Sequence, residues 1–165
     1  MRKKPAKKAY LREKILKFVF TILLCQFAGF IGSIFTITAI PTWYASLNKP
    51  SFNPPNYLFG PVWTTLYILM GISFALILLN KTKNTKTAIT FFSIQLALNA
   101  LWSIIFFGMK MPLLAFINII LLWLAILFTM ISFYRISKPS FWLLVPYILW
   151  VSFASALNLM IVVLN

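Results

Sequence analysis

Five long runs of apolar residues, separated by short polar segments, dominate the pattern of the chain. Each run is close to the ~20 residues that an α-helix needs to cross the hydrocarbon core of a bilayer. No run contains Asp, Glu, Lys, Arg or His, as is typical of transmembrane helices. The pattern therefore predicts an all-α integral membrane protein, built as a bundle of five transmembrane helices. The predicted helices cover Phe18–Ile40, Leu58–Leu79, Ala88–Phe107, Leu113–Phe133 and Phe141–Leu164.

Prolines mark the edges of several runs. Pro41 follows the first run and predicts its end, whereas Pro61, Pro112 and Pro139 lie near helix starts. A proline in the first helical turn costs little, because the N–H that it lacks would be unpaired there. Pro146 lies inside the fifth run and predicts a kink.

The composition agrees with a membrane protein. Of 165 residues, 62% are hydrophobic and 10% are charged, whereas soluble domains are about half apolar and a quarter charged. Cys25 is the single cysteine and lies inside an apolar run, so the chain cannot form an internal disulfide.

Positive charge lies in the gaps between the runs. Fifteen Lys and Arg face one acid, Glu13, for a net charge of +14. A nucleic-acid partner is not expected, because such proteins present their cations on a polar folded face. Residues 1–17 and the second and fourth connections carry all but two of the cations, Lys49 and Lys110. The asymmetry predicts a cytoplasmic N-terminus, with residues 1–17 as a basic tail suited to anionic headgroups, and an external C-terminus.

The connection at 41–57 is unusually long and contains "WYASLNKPSFNPPNY". Most connections have about 4–6 residues, and longer ones are often functional. Pro50, Pro54 and Pro55 stiffen its backbone. The segment is therefore predicted to form a rigid external lid over the bundle. Its aromatic residues can pack on the helices or lie at the membrane interface: Trp43, Tyr44, Phe52 and Tyr57.

The residues needed for common catalytic chemistry are missing. The chain has no histidine and one acid, in the tail, so no acid–base pair, nucleophile triad or metal-ligand cluster is predicted. The sequence predicts no catalytic residue, metal ligand or resident cofactor. Proton-coupled transport through a membrane-embedded acid is likewise disfavoured.

Neutral polar residues form a stripe on the third predicted helix. Gln95, Asn99 and Ser103 recur every four residues, beside Trp102, and therefore share one helix face. Such a stripe fits interhelical hydrogen bonds or a pocket for a flat, mostly apolar ligand. Asn118 and Asn158, on the next two helices, allow the same two interpretations.

Two pairs of small residues, spaced four apart, predict close helix approach. They are Ala28 with Gly32 and Gly71 with Ala75. Either pair can serve inside the bundle or in a homodimer.

Four motifs together resemble the TspO/MBR family of tryptophan-rich sensory and translocator proteins. They are "WYASLNKP", "PPNYLFGPVW", "QLALNALWS" and "PYILWVSFASALN". The resemblance covers nearly all of the chain after residue 20. It implies a five-helix bundle, often dimeric, whose cavity binds porphyrins and other tetrapyrroles, sterols, and isoquinoline carboxamide or benzodiazepine drugs. In this family the tetrapyrrole is a ligand rather than a cofactor.

Site residues follow from the same resemblance, position by position. It implies a lid tyrosine at Tyr44 and lid positions at Pro50, Phe52, Pro54 and Pro55. It implies a ligand-binding wall formed by Trp63, Asn99, Trp102, Ser103, Trp150 and Ala154. Val162 stands where many members have tryptophan, and no cation follows Tyr147, which weakens a sterol interpretation.

Three functions remain open at this stage. The first is a receptor or carrier for tetrapyrroles in a prokaryotic cell membrane. The second is a light-dependent, enzyme-like breakdown of porphyrin on Trp63 and Trp150. The third is a membrane protein that acts through interactions alone and binds no small ligand.

Overall fold

The computed structural model describes residues 7–80 and 82–165. Five helices follow one another along the chain, and all are long and apolar enough to cross a membrane. This confirms the prediction of an all-α membrane bundle. The helices are α1 (Lys7–Ala39), α2 (Phe59–Leu79), α3 (Thr85–Ser103), α4 (Pro112–Tyr134) and α5 (Lys138–Leu164).

Helix α1 is longer than its apolar run. It begins at Lys7 rather than Phe18 and has 33 residues, or about 50 Å at ~1.5 Å per residue. A bilayer core is only ~30 Å thick. The first turns of α1 therefore extend beyond the core.

The prediction that Pro41 ends the first helix is wrong. A π-helical turn, Ile40–Tyr44, contains Pro41 and continues α1 outward, with helical geometry as far as residue 46. The wider π turn tolerates a residue without an N–H, because it interrupts the regular α-helical ladder. The irregular connection is therefore shorter than predicted and covers residues 47–55; we call it the lid loop. A 3-10 turn, Asn56–Leu58, then leads into α2.

The helices close into a ring. Helix α1 packs against α2 and α3, α5 packs against α2 and α4, and α4 packs against α3. The order around the ring is therefore α1, α2, α5, α4, α3, and α2 contacts α3 only slightly. The sequence neighbours α2 and α3 are thus separated in space by α1.

Small residues bring α1 close to its neighbours. A Cβ built on Gly71 would lie 2.8 Å from Ile22 Cγ1 and also collide with the Ile22 backbone. Thr21 Oγ1 donates to the Gly71 carbonyl at 2.8 Å. On the α3 side, a Cβ on Gly32 would lie 2.8 Å from Ser103 Oγ. These glycines therefore serve helix packing inside the bundle.

An aromatic core fills the end of the ring away from the lid loop. Phe74 stacks on Phe92 with ring centroids 4.1 Å apart, and Phe92 stacks on Phe133 at 5.8 Å. All three side chains are buried.

Candidate ligand cavity

A cavity of about 380 Å³ occupies the half of the ring nearer to the lid loop. All five helices contribute to its wall, and its volume is in the ~300–1,000 Å³ range of small-molecule sites. Seven residues singled out from the sequence line it: Tyr44, Trp63, Asn99, Trp102, Ser103, Trp150 and Ala154. The structure therefore brings these seven residues together around one space.

Indole rings stand on two walls of the cavity. Trp63 on α2 stacks on Tyr67 at 5.6 Å and meets the Tyr147 ring of α5 edge-on at 6.3 Å. Trp150 lies one turn beyond Tyr147 on α5. Its ring meets the Phe59 ring edge-on, with the ring centroids 6.3 Å apart. Its indole N–H is buried and has no hydrogen-bond partner among the residues that the structure describes. Trp150 therefore offers the cavity a ring face.

A directional chain of hydrogen bonds lies behind the cavity. The Tyr67 hydroxyl donates to Asn99 Oδ1. Asn99 Nδ2 donates to the Tyr147 hydroxyl at 3.0 Å, and that hydroxyl donates to Gln95 Oε1 at 2.9 Å. This chain joins one buried polar residue of α2 and one of α5 to two of α3, and it fixes the orientation of the Asn99 amide.

Sequence reasoning missed Tyr67 and Tyr147 as parts of this site. Their signal is spacing: Tyr67 follows Trp63 by one turn, and Tyr147 precedes Trp150 by one turn. Gln95 lies behind the wall rather than on it. Asn118 donates to the Leu98 carbonyl at 3.0 Å and so serves interhelical bonding.

Trp102 is fixed differently from Trp150. Its indole N–H donates to Asn158 Oδ1 at 3.1 Å, and Asn158 Nδ2 donates to the Pro112 carbonyl at 2.9 Å. The Trp102 ring stacks on Phe106 at 5.0 Å. Because its donor is already used, Trp102 can offer a ligand only its ring.

The lid loop is attached to the far side of the ring. The Asn48 backbone N–H donates to Asn165 Oδ1 at 2.9 Å, and Asn165 Nδ2 donates to the Asn48 carbonyl at 3.0 Å. Phe52 meets Phe153 of α5 edge-on at 6.2 Å. Since α1 and α5 are not neighbours in the ring, the lid loop crosses its mouth.

A lysine fixes the near end of the lid loop. Lys49 Nζ donates to the carbonyls of Tyr44, Ala45 and Leu47 at 2.8, 3.2 and 2.9 Å. These carbonyls lie at the end of the first helix, where a cation is stabilising. The Tyr44 hydroxyl donates to Asn53 Oδ1 at 2.7 Å, which ties the cavity wall to the lid loop.

The four predicted lid positions do not themselves line the cavity. Pro50 is buried, Pro54 is half-buried, and Phe52 and Pro55 are exposed. They determine the course of the lid loop, while Tyr44 forms the part of the wall beneath it.

None of the described residues that line the cavity is charged. Within the same part of the chain, no group of His, Cys, Asp or Glu is arranged to hold a metal ion. What the wall can offer is ring stacking and the Asn99 amide. That donor set suits a flat, largely apolar ligand with few polar atoms.

Comparison with known proteins identifies the family. The TspO/MBR family model matches residues 21–164. The chain belongs to the TspO/MBR family. It is similar to the tryptophan-rich protein TspO of Chlorobaculum tepidum, with 47% identity over 94% of this chain and 99% of that protein. The tryptophan-rich protein TspO of Archaeoglobus fulgidus is 49% identical over 92% of this chain and 98% of that protein.

The similarity extends to animals. The human translocator protein is 37% identical over 78% of this chain and 78% of its own length. The relatives are named as tryptophan-rich and translocator proteins rather than as enzymes. A membrane-receptor role at the level of the TspO/MBR family follows.

Proposed function

We propose that this protein is a membrane receptor or carrier that binds tetrapyrroles in the outer cavity. The observation that carries the proposal is that Trp63 and Trp150 line one uncharged cavity together with the fixed amide of Asn99. Indole faces stack on a planar macrocycle. Flat, neutral multi-ring drugs fit the same chemistry.

The uncharged wall also determines the orientation of a bound porphyrin. Burying a carboxylate without a partner is very costly. The macrocycle therefore enters the cavity, while its carboxylates stay at the edge that reaches water or headgroups. We further place the lid loop on the outer side of a cell membrane, from the positive charge on the other side.

The test is quenching of tryptophan fluorescence by protoporphyrin IX in lipid nanodiscs, in the dark. We expect saturable quenching, weakened about tenfold or more by Asn99→Ala and by Trp150→Phe. Trp142→Phe is the matched control, since Trp142 is 65% exposed and lies outside the cavity. Linear quenching that is the same in all four proteins would mean partition into lipid and would overturn the proposal.

Light-driven breakdown of bound porphyrin is the second candidate function. The stack of Trp63 on Tyr67, with Tyr67 hydrogen-bonded to Asn99, favours it. The photoexcited porphyrin takes one electron from the indole, dioxygen from the air reoxidises the reduced porphyrin, and the nearby phenol returns an electron to the indole. Illumination in air of the protoporphyrin complex tests it. If the porphyrin absorbance is lost in the wild type but kept in Trp63→Phe and Trp150→Phe, the result supports this function. If the absorbance is lost equally in all three proteins, the result refutes it.

A further inference from the structure

Helices α1 and α2 are in close contact at one end and stand apart at the other. In the inner half, a Cβ on Gly71 would collide with Ile22. In mid-membrane, a Cβ on Gly29 would collide with the Tyr67 ring. Further out, a Cβ on Gly60 would have nothing within 4 Å. The two helices therefore separate in the half of the membrane nearer to the lid loop.

Residues that face lipid also line the cavity at this place. Phe30 and Ile37 of α1 are 61% and 69% exposed, yet both belong to the cavity wall. Gly60 and Thr64 of α2 are exposed and line it as well. A residue can do both only where the cavity reaches the outer surface of the bundle. We call this opening, lined by Phe30, Ser33, Ile37, Gly60 and Thr64, the side opening.

The inner edge of the side opening is polar. Gln26 Nε2 donates to the Thr64 carbonyl at 3.1 Å and joins α1 to α2. Gln26, Ser33 and Thr64 all line the cavity. Ser33 and Thr64 donate to the carbonyls of Phe30 and Gly60 on their own helices. The edge is therefore stable beside lipid, and its oxygen atoms can also face a molecule with polar atoms.

The route through the mouth of the ring is obstructed, by contrast. The lid loop is bonded to Asn165 on α5 and to the end of the first helix through Lys49. Opening that route requires several hydrogen bonds to break, whereas a single one, from Gln26 to the Thr64 carbonyl, borders the side opening.

We propose that ligand enters and leaves the cavity sideways, from the leaflet nearer to the lid loop, through the side opening. The entering molecule is amphipathic and dissolved in the bilayer, with its apolar rings among the acyl chains and its charged groups at the headgroups. The proposal deepens the proposed function, because it assigns a path to the same cavity. It assumes only that the cavity admits a small molecule from outside.

A test without porphyrin uses a single thiol on the cavity wall. Cys25→Ala combined with Ala154→Cys gives this background, in nanodiscs. The rate of modification is measured with lipid-soluble N-phenylmaleimide and with the charged, water-soluble 2-sulfonatoethyl methanethiosulfonate. Gly60→Phe obstructs the side opening from α2, and Ser33→Phe obstructs it from α1. Thr65→Phe is the matched control, since Thr65 is exposed on α2 and does not line the cavity.

We expect N-phenylmaleimide to react at least tenfold more slowly in Gly60→Phe and in Ser33→Phe, and at an unchanged rate in Thr65→Phe. Equal rates in all four proteins would overturn the proposal. It would also be overturned if the charged reagent reacted faster than N-phenylmaleimide, at a rate that neither obstructing variant changed. Either result would indicate entry through the mouth of the ring. Saturable protoporphyrin binding with unaffected labelling would refute the side opening alone. Slowed labelling without any porphyrin binding would refute the proposed function alone.

Discussion

Tyr67 and Asn99 are joined across the α2–α3 gap by a hydrogen bond from phenol to amide oxygen, although these two helices scarcely touch. Asn99 then donates to Tyr147 on α5. One asparagine thus connects three helices behind the cavity, and its own orientation is fixed from both sides.

The first prediction concerns the centre of this chain. Tyr147→Phe removes a buried hydroxyl that accepts from Asn99 and donates to Gln95, and leaves both partners unpaired. We expect a loss of about 1–3 kcal/mol in the free energy of unfolding, measured by chemical denaturation in detergent. Tyr57→Phe is the control, because Tyr57 is 75% exposed. Equal stability of the two variants would contradict the prediction.

The second prediction concerns the attachment of the lid loop. Asn165→Ala removes the side chain that exchanges hydrogen bonds with Asn48. We expect faster hydrogen exchange in residues 47–55, by about tenfold, since one tenfold step corresponds to ~1.4 kcal/mol. Asn80→Ala is the control, because Asn80 bonds only within its own helix end, at the other side of the membrane. Unchanged exchange in Asn165→Ala would show that the lid loop is held by other contacts.

The third prediction uses two glycines of α2. Gly71→Ala forces a methyl group against the Ile22 backbone, which we expect to cost about 1–3 kcal/mol. Gly60→Ala adds the same methyl group to open space and should leave stability unchanged or raise it by about 0.4–1 kcal/mol. Thermal unfolding of both variants in the same detergent measures the difference. A Gly60→Ala variant as unstable as Gly71→Ala would mean that α1 and α2 are closed along their whole length.

The fourth prediction concerns orientation. In a Cys25→Ala background, Ser51→Cys in the lid loop should react with an impermeant maleimide on intact cells. Lys83→Cys, in the α2–α3 connection, should react only after lysis, because the cations mark the cytoplasmic side. Labelling of Lys83→Cys on intact cells would reverse the assignment.

The membrane made most of the fold predictable. A span must satisfy its backbone internally, so each apolar run could be assigned as a helix without knowledge of its neighbours. The first and last residues of α1 were harder to predict from the sequence. Basic residues from Lys7 onward continue the helix beyond the apolar run, and the π turn at Pro41 falls outside rules that concern α-helical geometry.

The site was predictable partly from spacing and partly from resemblance. The spacing of Asn99 on the third helix indicated a polar face, whereas Trp63 and Trp150 came from family motifs alone, and all three residues line one cavity. Tyr67 lies near the middle of its apolar run, where no local pattern distinguishes a tyrosine beside a cavity from one packed in the core. The hydrogen bonds between Asn48 and Asn165 join residues 117 positions apart, and no local sequence pattern predicts such a pair.

The ring order has a consequence for biosynthesis. When α1 to α4 have been made, they form an open arc, α2–α1–α3–α4, because α5 lies between α2 and α4. Helix α5, with 27 residues, therefore closes the cavity and brings Trp150 and Tyr147 with it. A chain without α5 would lack this part of the wall, and Trp63 and Asn99 would then border a cleft that is open on the α5 side. The cavity is consequently a product of the complete ring rather than of any pair of neighbouring helices.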